Sequence, residues 1–540
     1  MKRTSWVYIS SAAIGLSLLL SAANLLLGNL NQDEGWYLYA AGQVAAGKML
    51  YRDFMFTQGP GLPVVYGLLF PVIGKFGVAG GRLITALLGL GSAGCAAWLA
   101  GRAVSKYWKP AALSAFILTG VNVYQSYFTT IVKTYSLCAF FLTIGFVALS
   151  YTNSRRGRSA AFRGGSLLAL AACTRLSAGI VLPVAGLWLL CNRKKVAPHS
   201  WIAFGIGSGL TLLAGLGTFF TLAPENTWFA LFGYHAGRSP GGLAAQAALK
   251  AGFISRFVQA YFVFAAGCVP AFFFRTHMGS AGRHNFERLG PNTRPRLTEL
   301  IREANRQESP FHHSFISLLW IAGAAITLVH FSAPFPYDDY QVIVYPLLAA
   351  ALAATLVPRC SEKHLKRAVP ILLLICTAAS FSSPLNQEWL IRDRDRIWWK
   401  FKKTPDLIEL QNVGARIREQ LGDDGLLLTQ DTYLAIEAGA QVPHGMEMGP
   451  FCYYPDMSRE RAEKLNLLNT KMMLEVLAKA RAPVAAFSGY GLSIASPQIA
   501  EIPPGERKKL RTALETTYIK IAEFPNFGQA HTTLEIFERK

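Results

Sequence analysis

A polytopic α-helical membrane domain of about eleven transmembrane helices, followed by a small C-terminal α/β domain, is the fold class that the sequence predicts. Three observations carry the prediction. Of the 540 residues, 52% are hydrophobic and only 16% charged, well below the ~25% charged of soluble domains. Apolar runs approaching the ~20 residues that a bilayer requires recur from residue 6 to residue 381. Beyond about residue 404 these runs stop, and helix-like and strand-like patterns alternate.

The first span covers residues 6–27 and follows only Met-Lys-Arg-Thr-Ser. Ser21-Ala22-Ala23 mimics a cleavage site, but the stretch is long for a signal peptide and further spans follow, so it reads as an uncleaved helix. A loop, 28–80, holds two half-apolar pieces at 36–46 and 62–73, expected to lie as interfacial helices. Spans are then expected near 83–104, 111–124, 136–151, a tight pair at 165–172 and 179–191, and 201–222. After a loop at 223–251, the rest are near 253–274, 314–331, 341–357 and 369–381. The net charge of +21 is concentrated in short clusters between runs, such as Arg155-Arg156 and Arg193-Lys194-Lys195. These are topology signals and contacts to anionic lipid rather than a nucleic-acid stripe. They follow the even-numbered spans, which predicts a cytosolic N-terminus and an extracytoplasmic C-terminus, in a multi-pass protein of a bacterial-type inner or plasma membrane. The expected division is 1–382 for the membrane domain and 383–540 for the external one. The eight cysteines show no CxxC spacing, so neither a disulfide framework nor a zinc site is indicated.

In the external part, Leu407, Ile408, Val413, Ile417 and Leu421 have helical spacing, residues 425–428 and 483–487 read as buried strands, and Ser458 reads as the cap of a helix to about residue 480. His444 and Glu447 lack the spacing of a metal site.

The first loop carries Asn31-Gln32-Asp33-Glu34-Gly35-Trp36-Tyr37, two adjacent carboxylates at a membrane exit. Acids at such a boundary are costly and usually functional. The ordered set Asp33, Glu34, Tyr37, Gly47, Tyr51, Asp53, Gly59 and Pro60 resembles the GT-C glycosyltransferases of the protein O-mannosyltransferase and aminoarabinose-transferase type. That resemblance implies a GT-C fold and transfer of a sugar, hexosyl or pentosyl, from a polyprenyl-phosphate carrier to an extracytoplasmic protein, lipid or cell-envelope glycan, with inversion. It implies Asp33 as the general base, with Glu34 orienting the acceptor or holding a cation. Transfer to a hydroxyl or amine needs a base, whereas a glycosyl phosphate already carries a good leaving group. The sequence departs from the pattern at Gln58-Gly59-Pro60-Gly61, where aminoarabinose transferases carry a lysine before the proline.

The donor phosphate needs cations, and guanidinium suits it. Arg82 opens the second span, Lys133 lies between the third and fourth, and Arg175 lies at the turn of the short pair; snorkelling to the interface is the rival reading for each. Tyr37, His235, Arg238 and Asp339 (or Asp338) are candidate substrate contacts. The favoured plain readings are a loop histidine for His235 and a hydrated acidic cap for Asp338-Asp339. No cofactor is obligatory beyond the lipid-linked sugar as co-substrate. Two carboxylates leave room for a divalent cation, with no third ligand evident. Two other classes stay open: a transporter or flippase, disfavoured by the lack of internal repeats, and a catalytically silent scaffold of the same fold.

Overall fold

The computed structural model describes residues 3–104, 106–237, 242–268, 310–380, 404–422, 425–479, 481–489, 492, 502–528 and 532–540. Helix α1 (Arg3–Leu27) leads to α2 (Gln32–Ala45), α3 (Gly61–Leu68) and the long α4 (Phe70–Ala103), which kinks at Gly77 (φ 60°, ψ −140°). The expected interfacial pieces become α2 and α3 with the start of α4. Next come α5 (Trp108–Gly120), α6 (Val123–Phe128), α7 (Thr134–Leu149), α8 (Gly157–Thr174) and α9 (Val181–Cys191). Later helices include Pro310–Ser332, Tyr345–Leu356 and Glu362–Ser380.

Among the described residues, four helices are long and apolar enough to cross a bilayer: Trp6–Leu27, Phe70–Ala103, Ser200–Leu222 and Phe311–Ser332. The pair Leu243–Ala260 and Phe262–Cys268, bent by 48°, makes a fifth. The other apolar helices, Thr134–Leu149, Leu176–Cys191 and Tyr345–Arg359, are short. Thr134–Leu149 has 16 residues, ~24 Å at 1.5 Å per residue, against a hydrocarbon core of ~30 Å.

A buried ion pair fixes the exit of α1. Arg82, on α4, is fully buried, and all five of its N–H donors are used. Nε and Nη2 donate to the two Glu34 oxygens at 2.8 and 2.6 Å. The remaining donors reach the carbonyls of Leu25, Gly28 and Asn29 at 3.0–3.1 Å. Glu34 also accepts from Asn31 N at 3.0 Å, half of a capping box at the start of α2, and from Val132 N at 3.1 Å. The cation thus lies at the C-terminal end of α1 and the anion at the N-terminal end of α2, each where the helix dipole favours it. The sequence reading grouped Glu34 with the catalytic residues and Arg82 with the phosphate contacts. The structure pairs them with each other, because a buried arginine requires an anion and Glu34 is one helical turn from a chain exit that α4 abuts.

The C-terminal part holds one four-stranded sheet, ordered β1–β2–β4–β3, with strands β1 (Leu427–Thr429), β2 (Val484–Phe487), β3 (Tyr518–Phe527) and β4 (Thr532–Arg539). β1 and β2 are parallel, as a strand–helix–strand connection requires, and the other two pairings are antiparallel. Helix Asp406–Gln420 buries Leu407, Val413 and Ile417 as the spacing predicts, with Leu421 buried just beyond it, whereas Ile408 is exposed. Ser458 does cap a helix, its Oγ accepting from Arg461 N. That helix is Arg459–Lys464 only; Asn466 at φ 52° breaks the run before Thr470–Lys479. The expected span ends near residues 269–274 and 381, and the loop to residue 309, lie outside the described residues.

This sheet unit is docked onto the first loop. Its apolar residues, Leu407 to Phe537, form one continuous core with Leu30, Trp36, Tyr37, Leu38, Phe54, Phe56 and Tyr66. Polar contacts cross the same seam. Gln32 Nε2 donates to Asp431 at 2.8 Å, Tyr39 Oη to Gln441 at 3.1 Å, Val442 N to Tyr39 Oη at 2.9 Å, and Val78 N to Glu437 at 2.7 Å. Gly35 is the point of closest approach: a Cβ there would sit 2.4 Å from Tyr433 N and 2.8 Å from Thr432 Oγ1.

Two outcomes are expected. Arg82→Met leaves Glu34 buried without its cation, which costs about 3–5 kcal/mol; Arg82→Lys recovers only part, since three donors replace five. Thermal unfolding of the detergent-solubilised protein measures both, and an unchanged midpoint in Arg82→Met rules out the clamp. Gly35→Ala forces the seam apart at a cost of about 1–3 kcal/mol. Faster proteolysis beyond residue 400, with the membrane helices still intact, is the signature; unchanged cleavage refutes the close contact.

Candidate functional site

The clamp sets the two chain segments from which the site is built. Glu34 faces inward from the first turn of α2, so its neighbour Asp33, ~100° further round the helix, faces away from it. Glu34 also holds Val132 N, and the next residue is Lys133. The Lys133 Nζ lies 3.0 Å from Asp33 and 3.1 Å from Asp339, bridging the two carboxylates. Lys133 and Asp339 are nearly buried at 7% side-chain exposure each, whereas Asp33 is 27% exposed. Asp33 is therefore the member of the triad open to a reactant. Its other oxygen accepts from Trp36 Nε1 at 3.1 Å, and its backbone N donates to the Asn31 side chain.

Arg175 flanks the triad. It follows α8 in extended backbone (φ −148°, ψ 115°). Its guanidinium lies over the rings of Tyr340 and Tyr135, 4.2 and 4.8 Å from their centres, and donates to Thr134 Oγ1 at 3.2 Å. Its Nε is buried without a hydrogen-bond partner. A cation held between two aromatic faces keeps its charge and direction, and a spare buried donor is what an incoming anion satisfies. The turn at Gln58-Gly59-Pro60-Gly61 packs against the same end of α8: a Cβ on Gly59 would lie 2.1 Å from the Cys173 carbonyl. The turn is pinned from its other side by Tyr51 Oη, which donates to the Gln58 carbonyl at 2.7 Å.

Tyr37 belongs to the same cluster, its hydroxyl in the field of Asp33, Arg175 and Lys133. Burial, reinforced by Asp33, pushes its pKa above the ordinary value, so it stays protonated and acts as a donor rather than a base. His235 Nε2 meets the Thr57 carbonyl at 2.9 Å and thereby ties its own helix to the first loop. Arg238 lies outside the described residues. Among the described residues no three His, Cys, Asp or Glu side chains converge as metal ligands. His444 instead pairs with Glu447 at 3.2 Å, which raises the imidazole pKa.

Several participants escaped the sequence reading. Behind Tyr340, whose ring lies 5.3 Å from that of His330, a buried network runs Ser177–His330–Gln341. Gln341 Oε1 accepts from Tyr261 Oη and Thr327 Oγ1, both at 3.1 Å, so its amide nitrogen donates to His330 Nδ1. The proton is then on Nε2, which donates to Ser177 Oγ at 3.0 Å. A histidine within an apolar helix was the available signal, since ionisable groups at membrane depth are rare and placed for a reason.

No family model matches the chain, and neither does any curated protein. Solved structures do. The apo structure of ArnT from Cupriavidus metallidurans aligns with a TM-score of 0.61 at 13% identity, covering 99% of this chain and 98% of that one. The structure of the same protein bound to undecaprenyl phosphate gives 0.59 at 12% identity, with 99% and 98% covered. An oligosaccharyltransferase from Archaeoglobus fulgidus gives 0.47 at 11% identity, covering 100% of this chain and 74% of that one. Across nearly its whole length, this chain shares the fold of ArnT from Cupriavidus metallidurans.

Proposed function

We propose that this protein is an integral membrane glycosyltransferase that moves a sugar from a polyprenyl-phosphate carrier to an extracytoplasmic acceptor. The observation that carries the reading is the part-exposed Asp33 carboxylate held by the buried Lys133 ammonium, with the Arg175 guanidinium over Tyr135 and Tyr340 nearby, its Nε buried and unpartnered. The fold shared with a protein solved with undecaprenyl phosphate supports the class of donor.

In this reading the acceptor hydroxyl or amine approaches Asp33, which takes its proton as the new bond to the anomeric carbon forms. The bond from that carbon to the phosphate oxygen breaks, and the electron pair leaves with the lipid phosphate. Attack opposite the leaving group inverts the anomeric centre. Arg175 meets the phosphate through its spare Nε and supplies the charge that a lysine before Pro60 would have given, since Gly59 and Gly61 pack against Cys173 and Thr174. Lys133 orients Asp33 through its 3.0 Å contact, and Asp339, 3.1 Å from the same ammonium, holds that ammonium in place. The ammonium stands between two carboxylates, where a divalent cation would otherwise neutralise them. Tyr37 donates to the sugar or phosphate. Glu34 and Arg82 are structural: all their donors and acceptors are spent on the clamp.

Three measurements test this. Asp33→Asn keeps size and hydrogen-bonding shape but removes the base, so transfer in a reconstituted system falls by roughly two or more orders of magnitude while donor binding persists; near-normal transfer sinks the base assignment. Arg175→Ala weakens binding of the lipid-linked donor, with Arg175→Lys intermediate because bidentate geometry is lost; unchanged affinity removes Arg175 from the phosphate site. For the topology, cysteines placed at Asp33, His235 and Gly425 label from outside intact cells, whereas those at Lys106, Arg156 and Lys194 label only after lysis; the reverse pattern overturns an external site.

A further inference from the structure

We propose that the turn between α7 and α8 is a pocket for the phosphate headgroup of an anionic membrane lipid. The α7–α8 hairpin carries cations at both ends. Lys133 precedes α7 and Arg175 follows α8, at the site described above. At the other end, ~24 Å away along the 16 residues of α7, lies a cavity of about 550 Å³ lined by Tyr151, Ser154, Arg155, Arg156, Ser159 and Arg163. It is thus at the opposite membrane face from Asp33.

The lining chemistry is one-sided. Three arginines, two serines and Tyr151 line the cavity, and no carboxylate does. Among the described residues none of the three guanidiniums has an ion-pair partner. Guanidinium with hydroxyl donors matches the oxygens of a phosphate ester. The tyrosine wall is braced: Arg102 lies over the Tyr151 ring at 3.8 Å and donates to the Ser150 carbonyl at 3.1 Å, while Trp98 Nε1 donates to Tyr151 Oη at 3.2 Å. Trp98 and Phe162 beside it are exposed, as side chains at the level of lipid headgroups are. Ala148 and Ala160 complete an apolar edge along which an acyl chain can leave. That edge and those aromatics favour a lipid over free phosphate. The pocket does not depend on the transfer reaction proposed above.

The test uses the full chain in neutral detergent and native mass spectrometry, with phosphatidylglycerol, phosphatidylcholine and inorganic phosphate as separate probes. Phosphatidylglycerol is expected to be retained in preference to phosphatidylcholine. Removing a juxtamembrane charge weakens retention by roughly five-fold, so the combination Arg155→Gln, Arg156→Gln, Arg163→Gln lowers it by on the order of 100-fold. The combination Arg193→Gln, Lys194→Gln, Lys195→Gln, equal in charge and located in another turn, leaves it within about two-fold. The three-arginine site replaced by lysines retains most of the binding. Equal loss in the control combination, a lysine combination no better than glutamine, equal retention of phosphatidylcholine, or displacement by inorganic phosphate at matched concentration would each overturn the proposal.

Discussion

The buried contact between Arg82 and Glu34 is the constraint on which the rest of the site depends. A buried ion pair in isolation returns little net stability, because desolvating both ions offsets their attraction. Here the value lies in what the pair joins. Its donors and acceptors reach the end of α1, the start of α2, α4 and the strand-like turn at Val132. Each partner then sets the direction of a neighbour along the chain: Glu34 that of Asp33, and Val132 that of Lys133. A contact made by residues with no exposure to a reactant therefore decides the 3.0 Å spacing between the part-exposed Asp33 and the nearly buried Lys133.

The sheet unit acts on the same element from the other side. Asp431 is fully buried and gathers four donors, from Gln32, Tyr433 and the backbone and side chain of Ser488. Burial raises its pKa, and those hydrogen bonds pull it back toward the ionised form. Glu437 caps the free N–H left at Val78 by the kink at Gly77. Through these two acids the C-terminal part holds both α2 and the beginning of α4, the helices that carry Glu34 and Arg82.

Much of the fold was legible because its signals are local. The first span, the two half-apolar pieces of the first loop, the strands at 425–428 and 483–487, and the Ser458 cap are all written in runs of a few residues. Helix bounds were harder: α8 runs Gly157–Thr174 where the apolar run suggested only 165–172, because Arg158 and Arg163 interrupt the apolar pattern without ending the helix. The site was legible in kind but not in pairing. Asp33 and Glu34 are adjacent and chemically alike; helical phase turns one inward and one outward, and only the position of α4 decides which. An intramembrane arginine demands an anion, and for Arg82 the chain supplies one from 48 residues away. The Lys133–Asp339 contact spans 206 residues, a separation over which no local pattern carries information.

The shared core has a consequence for biosynthesis. Trp36, Tyr37, Leu38 and Phe56 pack with residues between Leu407 and Phe537, so they leave the ribosome well before their packing partners are made. Until residues 407–537 follow, the apolar seam of α2 remains uncovered, and Gln32 and Tyr39 lack their acceptor and donor. The hydrogen bond from Arg82 to Glu34, in contrast, joins residues only 48 apart. Assembly of this protein accordingly proceeds in two stages, an early one that orients the acidic turn and a late one that seals it, and a nascent chain stalled between them presents an aromatic surface that quality-control machinery can recognise.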